Sequence, residues 1–212
     1  MTQHTLTHQY DNAADRWHGS LERLQFLDAY ATLMSVLDER GAFDGLPDCP
    51  NVLDAGTGTG ALGVALARHR GPQMRFTGVD ISEGMLDQAR ANLHAVGVQP
   101  QLVQGNITAL DAPDASVDMA TNAHVLEHLD DPAPALRELA RVLKPGAPLL
   151  TLTSRWCPFT MLQQGWWRYR IIPIKKLTAA LHEAGFERVV EVRYAEVRHI
   201  RHMSRAVIAF RE

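Results

Sequence analysis

The chain has 212 residues, 46% of them hydrophobic and 21% charged, with a formal net charge of −3. This length suits one domain with a sizeable core, and the balance excludes a disordered or fibrous chain. No stretch nears the ~20 apolar residues of a membrane span, and the start Met1-Thr-Gln-His-Thr-Leu-Thr-His8 lacks the basic and apolar regions of a secretory signal, so a cytoplasmic protein is expected.

Residues 8–40 read as helical, because Leu21, Leu24, Leu27, Ala31, Met34 and Leu37 recur at spacings of three or four. Gly41 is a stop signal, and Gly45-Leu-Pro-Asp-Cys-Pro50 is a linker. Strand and helix then alternate. Strands are expected near 51–55, 74–79, 100–104, 116–122 and 147–153, and helices near 60–70, 83–96, 132–143 and 175–185. The segments 189–194 and 206–210 read as two more strands with no helix between them, hence an antiparallel final pair. Such alternation predicts an α/β fold: a doubly wound, mostly parallel sheet with helices on both faces. Cys49 and Cys157 are isolated, which argues against a disulfide framework or a cysteine zinc site.

The most telling stretch is Asn51-Val-Leu-Asp-Ala-Gly-Thr-Gly-Thr-Gly60. A short apolar strand ends in an acid, and glycines follow at every second position. Glycine lacks a Cβ and tolerates positive φ, so this turn lets backbone pass close to a ligand. The helix that follows would point its N-terminal amides at the same place. Asp80, 20 residues beyond Gly60, stands where a nucleotide-binding βαβ unit puts the carboxylate that accepts from a ribose.

Asp54-Ala-Gly-Thr-Gly-Thr-Gly60 resembles the first motif of the class I S-adenosylmethionine-dependent methyltransferases. Gly78-Val-Asp-Ile-Ser-Glu-Gly-Met-Leu-Asp-Gln-Ala89 is similar to that family's second strand and helix. Val117–Leu129 resembles its fourth strand, Leu136–Gly146 the approach to its fifth, and Leu181–Phe186 its last helix. The resemblance covers residues 51 to 210 and implies a seven-stranded sheet with an antiparallel C-terminal strand under an N-terminal helical lid. It divides a single domain, 1–212, into a lid (1–48), a cofactor-binding core (49–154) and an acceptor-side segment with closing strands (155–212). It also implies S-adenosylmethionine as cofactor and a small-molecule acceptor. A rival stands beside it. Gly58-Thr-Gly-Ala-Leu-Gly63 is also a literal G-x-G-x-x-G, which would suit NAD. Asp54 opposes that rival, since it would repel a pyrophosphate but attract an ammonium.

The resemblance assigns Asp54, Ala55, Gly56, Thr57, Gly58 and Gly60 to the methionine part of the cofactor and Asp80 to the ribose. Ile81 and Met85 would pack on the adenine, although core filling explains Met85 equally well. Asn106 and Ile107 end the third strand beside the adenine. The family usually has an acid where Asn106 stands, so the charge is gone while the amide oxygen still accepts. Asn122 ends the fourth strand near the cofactor's amino group.

His124-Val-Leu-Glu-His128 spells H-x-x-E-H, a zinc-peptidase pattern, but it stands at a strand end inside a nucleotide-binding layout, so no metal is expected. His124, His128 and Tyr10 are the candidates for a base. Tyr10-Asp-Asn-Ala-Ala-Asp-Arg-Trp17 resembles the lid segment of small-molecule methyltransferases, with Tyr10 and Trp17 closing over the site or simply packing on the sheet. Arg155, Trp156, Trp166 and Trp167 belong to the acceptor-side stretch Arg155–Arg170, whose aromatics could wall a pocket and whose arginines could hold a carboxylate or phosphate. A Trp-Trp pair flanked by arginines is also a pattern that touches membrane surfaces.

Charge is uneven: residues 1–154 sum to −9 and residues 155–212 to +6. The basic part could attract an anionic or amphiphilic acceptor, or merely solvate surfaces. The chain is acidic overall, lacks the Pro-Pro or Pro-Cys signatures of base-modifying enzymes and has no room for a recognition domain, so nucleic acid is not the expected acceptor. A non-catalytic, cofactor-binding partner subunit remains the alternative class.

Overall fold

The computed structural model describes residues 25–158, 160–161, 169–194 and 198–212, with 7, 10, 11, 19, 21 and 23 before them. Phe26, Ala29, Tyr30, Leu33, Met34 and Leu37, spaced three and four apart, form one buried face of α1 (Phe26–Glu39). β1 (Asn51–Ala55), α2 (Ala61–Arg70), β2 (Arg75–Asp80), α3 (Glu83–His94) and β3 (Gln101–Gln104) follow. Then come β4 (Met119–Ala123), a 3₁₀ turn (Leu126–His128), α4 (Ala133–Val142) and β5 (Pro148–Ser154). The last elements are α5 (Ile174–Glu183), β6 (Phe186–Val192), α6 (Arg198–Met203) and β7 (Ser204–Arg211).

The seven strands make one sheet in the order β3-β2-β1-β4-β5-β7-β6. β1 to β5 run parallel, and β7 is antiparallel to both of its neighbours. Helices cover both faces. Leu150, Leu152, Ala206 and Ile208 join α1, α2 and α3 in one core, whereas Leu149, Val207 and Ala209 join α4 and α5 in the other. All seven residues of β5 are buried in consequence, as expected of a strand covered on both sides. β1 is flanked by β2 and β4, so the crossovers leave it in opposite directions. The carboxyl ends of β1 and β4 therefore frame the crevice where open α/β sheets bind ligands. Among the described residues, no helix is long and apolar enough to cross a membrane.

Four boundaries differ from the expected ones. The N-terminal stretch 8–40 is not one helix, because Gln25 takes a left-handed φ of 59° and interrupts it before α1. The strand expected at 116–122 begins at Met119. Before it, the Asp118 carboxylate accepts from the Asn51 amide (2.8 Å) and from Lys144 Nζ (2.6 Å), so a side chain stands in for the ladder. The strand expected at 189–194 starts earlier, at Phe186, whose ring is fully buried and anchors it. A helix does separate the last two strands: α6 sinks Ile200 and Met203 into the core although its sequence is rich in Arg and His. The antiparallel pairing of β6 with β7 stands regardless.

Candidate functional site

β1 delivers Asp54 and Ala55 to the crevice, and the turn Gly56–Gly60 carries the chain into α2. Gly56 has a φ of 80°, and a Cβ there would drive into Val125; both facts exclude other residues. Gly58, at φ 52°, faces open space on its Cβ side, as a backbone meant for close approach by a ligand should. The amides of Gly56 and Thr57 both donate to the Val79 carbonyl (2.7 and 3.0 Å) and fasten the turn to β2.

Asp54 lies beneath this turn, 2% exposed. Its Oδ2 accepts from Thr57 Oγ1 (2.8 Å) and its Oδ1 from Thr121 Oγ1 (2.6 Å), so one carboxylate joins β1, the turn and β4. Burial raises its pKa to about 6, although both hydroxyl bonds work the other way. Asp80 is more open. Its Oδ2 accepts from the Gly58 amide (2.8 Å) and its Oδ1 from the Ser82 amide (3.0 Å). Burial raises its pKa, with these backbone donors opposing. Asp80 thus holds the glycine turn and the start of α3 while keeping a partly exposed edge toward the crevice.

Around these acids, Ile81 is half-buried, whereas Met85 and Ile107 sit in the core at 1% and 4% exposure. Asn106 Oδ1 accepts from the Thr108 amide (3.0 Å), a local turn that occupies the oxygen expected to meet adenine. Asn122 is fully enclosed. Its Nδ2 donates to the Ala55 carbonyl (2.6 Å) and its Oδ1 accepts from Thr151 Oγ1 (3.4 Å), so its side chain ties β4 to β1 and β5.

The end of β4 holds two histidines with different surroundings. His124 takes a left-handed φ of 57° and donates its amide to the Leu152 carbonyl (2.8 Å). Its Nδ1 is 3.3 Å from Glu127 Oε1 and its Nε2 is 3.2 Å from Ser204 Oγ. Glu127 is buried and also accepts from the Ser154 amide (2.8 Å) and Ser154 Oγ (2.7 Å). Burial works to raise the Glu127 pKa, but His124 and the two Ser154 donors outweigh it and hold the group ionised.

His128 turns away from that network. Its Nε2 lies 2.8 Å from the Tyr10 hydroxyl, and its ring meets Tyr10 and Tyr169 edge-on at 5.6 and 5.8 Å. Its Nδ1 is buried with no hydrogen-bond partner among the described residues. Burial lowers its pKa, against the pull of Glu127, so the ring is held neutral. Burial, then the charges of Asp80 and Glu127, raise the Tyr10 pKa and keep that hydroxyl protonated. The rings of the H-x-x-E-H pair therefore enter separate networks. Among the described residues, no group of three His, Cys, Asp or Glu is placed to hold a metal.

The residue after Tyr10 reaches the other side of the crevice. Asp11 Oδ1 accepts from Ser82 Oγ (2.6 Å), the N-cap of α3. Consecutive residues of the N-terminal segment thus touch both the β2 and the β4 ends. Asp11, Thr121, Glu127, Ser154 and Ser204 were not among the sequence-derived site residues. Acids beside Tyr10 and between the two histidines were available as a signal for Asp11 and Glu127; nothing local marks the two serines.

In the stretch Arg155–Arg170, the two described arginines are already paired. Arg155 Nη1 donates to Glu191 Oε1 (2.7 Å), and Arg170 Nη2 to Asp130 Oδ1 (2.9 Å). Trp156 is 71% exposed rather than part of a buried wall. Tyr169 is buried and donates to the Thr160 carbonyl (3.1 Å). Trp17, Phe159, Trp166, Trp167 and Arg168 lie outside the described residues.

The sheet order agrees with the comparisons. The profile of a family described as a methyltransferase domain matches residues 53–151. An uncharacterised 37.1 kDa protein of transposon Tn4556 from Streptomyces fradiae is 38% identical over 144 residues, 66% of this chain and 40% of that protein. A demethylmenaquinone methyltransferase of Listeria welshimeri is 40% identical over 109 residues, 49% of this chain and 44% of that enzyme. The chain thus spans less than half the length of these relatives. Among solved structures, a chain in the complex of the Haloferax volcanii Trm112 methyltransferase activator with a methyltransferase superposes with a TM-score of 0.74. Identity there is 20%, and 95% of this chain and 96% of that one are covered, so the likeness is one of fold. Profile, relatives and fold converge: residues 53–151 match a methyltransferase domain, and the chain is similar to the class I S-adenosylmethionine-dependent methyltransferases.

Proposed function

We propose that this chain moves a methyl group from S-adenosylmethionine to a small-molecule acceptor by in-line displacement. The carrying observation is the pairing of Asp80 with the Gly58 amide, which presents a carboxyl group and side-chain-free backbone to one crevice. Asp80 would accept from the ribose hydroxyls, and Gly56, Gly58 and Gly60 would lie along the amino acid tail. Asp54 supports this role from below by fixing the turn.

The cofactor supplies a methyl group on a sulfonium, already a strong electrophile. What remains for the protein is orientation, worth about 7–11 kcal/mol when alignment is good, and removal of an acceptor proton where there is one. His128 suits the second task. It is neutral and aromatic-walled, and with Nε2–H donating to the Tyr10 oxygen the other nitrogen, Nδ1, keeps the lone pair that receives a proton. His124 suits it less, since Glu127 and Ser204 engage both ring nitrogens. The acidic crevice argues against a nucleic acid acceptor.

Calorimetry with S-adenosylmethionine, S-adenosylhomocysteine and NAD, followed by a labelled-methyl screen of metabolites, tests the proposal. Binding of the two adenosyl compounds and label in one metabolite are expected. Binding of NAD alone would reverse the reading, and cofactor binding with no acceptor in any extract would favour a non-catalytic partner subunit.

A further inference from the structure

Strands β5, β7 and β6 carry polar side chains where an apolar face would be expected. Thr153 and Arg205 are direct antiparallel partners, so both side chains leave the same face of the sheet. Thr153 is fully buried, and its Oγ1 has no hydrogen-bond partner among the described residues. Arg205 is 10% exposed at its side chain, and its Nε is likewise buried and unpartnered. Buried donors without acceptors destabilise a protein unless something else fills the role.

The local charge leaves that role open. Glu191 is the carboxylate nearest to both arginines: Arg155 binds it at 2.7 Å, while Arg205 Nε stands 3.8 Å away. Two guanidinium groups therefore share one carboxylate, and the more buried of them has the poorer contact. Arg205 Nη1 donates to the Ile172 carbonyl (3.2 Å). Residues 169–172 then lead back to the base, with Tyr169 against His128 and the Arg170 amide on the Glu127 carbonyl (2.8 Å).

We propose that Arg205, Arg155 and the Thr153 hydroxyl form an oxyanion subsite that holds a carboxylate or phosphate of the methyl acceptor. Arginine suits this because its planar fork offers several donors at once. Thr153 and the Arg205 Nε–H would give the anion two donors that no group among the described residues takes up, and Arg155 would pivot between Glu191 and the ligand. The assignment to the acceptor rests on the methyl-transfer reading above; the anion site itself does not.

The test is a titration of the whole chain with benzoate and, separately, with inorganic phosphate. It is followed by ¹⁵N NMR of the arginine Nε–H signals and by calorimetry. One of the two anions should shift the Arg205 signal, and which one does identifies the headgroup. Its affinity should fall at least tenfold in Arg205→Gln, fall less in Arg205→Lys, which keeps the charge without the fork, and tighten in Glu191→Gln. Thermal unfolding of each variant shows whether it is folded, and the Lys and Glu191 variants keep the test decisive if Arg205→Gln is not. An Arg205 signal unmoved by both anions, or equal affinity in wild type and a folded Arg205→Gln, overturns the subsite. Absence of S-adenosylhomocysteine binding to the wild-type chain would instead overturn the methyl-transfer reading, and with it the anion's identity as acceptor.

Discussion

The Tyr10 hydroxyl and Nε2 of His128 meet at 2.8 Å although 118 residues separate them in the chain. One belongs to the N-terminal segment and the other to the turn after β4, so a residue outside the sheet orients the ring that we nominate as base. Asp11 at Ser82 repeats the pattern on the far side of the crevice.

Replacing His128 with Gln should lower turnover by about 10²–10⁴-fold, with affinity for S-adenosylhomocysteine within a few-fold of wild type. Tyr10→Phe keeps the ring and loses one hydrogen bond of about 0.5–1.5 kcal/mol, so its turnover should fall roughly two- to tenfold. Unchanged turnover in both variants would remove the pair from the chemistry.

The same ring sets an acid limit. A base must be neutral, and burial holds the His128 pKa below its ordinary value. Activity should therefore persist as pH falls through about 6.5, the usual imidazole value, and disappear only below it. A pH–rate profile whose acid limb lies above 6.5 would contradict the assignment.

Asp80→Asn removes a charge that accepts from Gly58 and Ser82. Charged hydrogen bonds contribute about 1.5–3 kcal/mol, so calorimetry should show S-adenosylmethionine binding weakened roughly 10- to 100-fold. Equal affinity would mean that the ribose is held elsewhere.

Gly56→Ala combines a left-handed φ with a collision at Val125. Expected destabilisation in urea is about 2–4 kcal/mol, from roughly 1–2 for the conformation and the rest from overpacking. Adding Val125→Ala should recover only the second part, a separation that a double-mutant cycle reads directly.

Asp54 binds its proton more tightly in the folded chain than in the unfolded one, because burial raises its pKa to about 6. Its contribution to stability is therefore greatest below about pH 4 and is lost as pH rises through 6, a change of about 2–3 kcal/mol. Asp54→Asn should flatten this slope in urea unfolding measured from pH 4 to 7. Parallel curves for the two proteins would show that the carboxylate titrates normally.

The βα alternation and the glycine turn were legible because they are written locally. Met34 and Leu37 mark a helix face by spacing alone, and Gly56 and Gly58 need no partner to be recognised. The side-chain partners of Asn122 and Asn106 were not legible. Asn122 was read for its backbone at the strand end, and its amide bonds Ala55 and Thr151; Asn106 was read for its amide oxygen, which accepts from the Thr108 amide. Bonds between strands depend on register, which no single strand encodes. The ion pairs of Arg155 and Arg170 were hidden for the same reason, since Glu191 and Asp130 lie 36 and 40 residues away. α6 escaped notice because six residues dominated by Arg and His carry too short an apolar rhythm to read.

β7 is inserted between β5 and β6, although both precede it in the chain. Until residues 204–211 arrive, β5 presents an unpaired row of peptide groups along its outer margin, and β6 has no sheet to join. Such a margin is a template for sticking to other chains. The outer half of the sheet is thus sealed only when β7 slides between two strands that come before it in the chain.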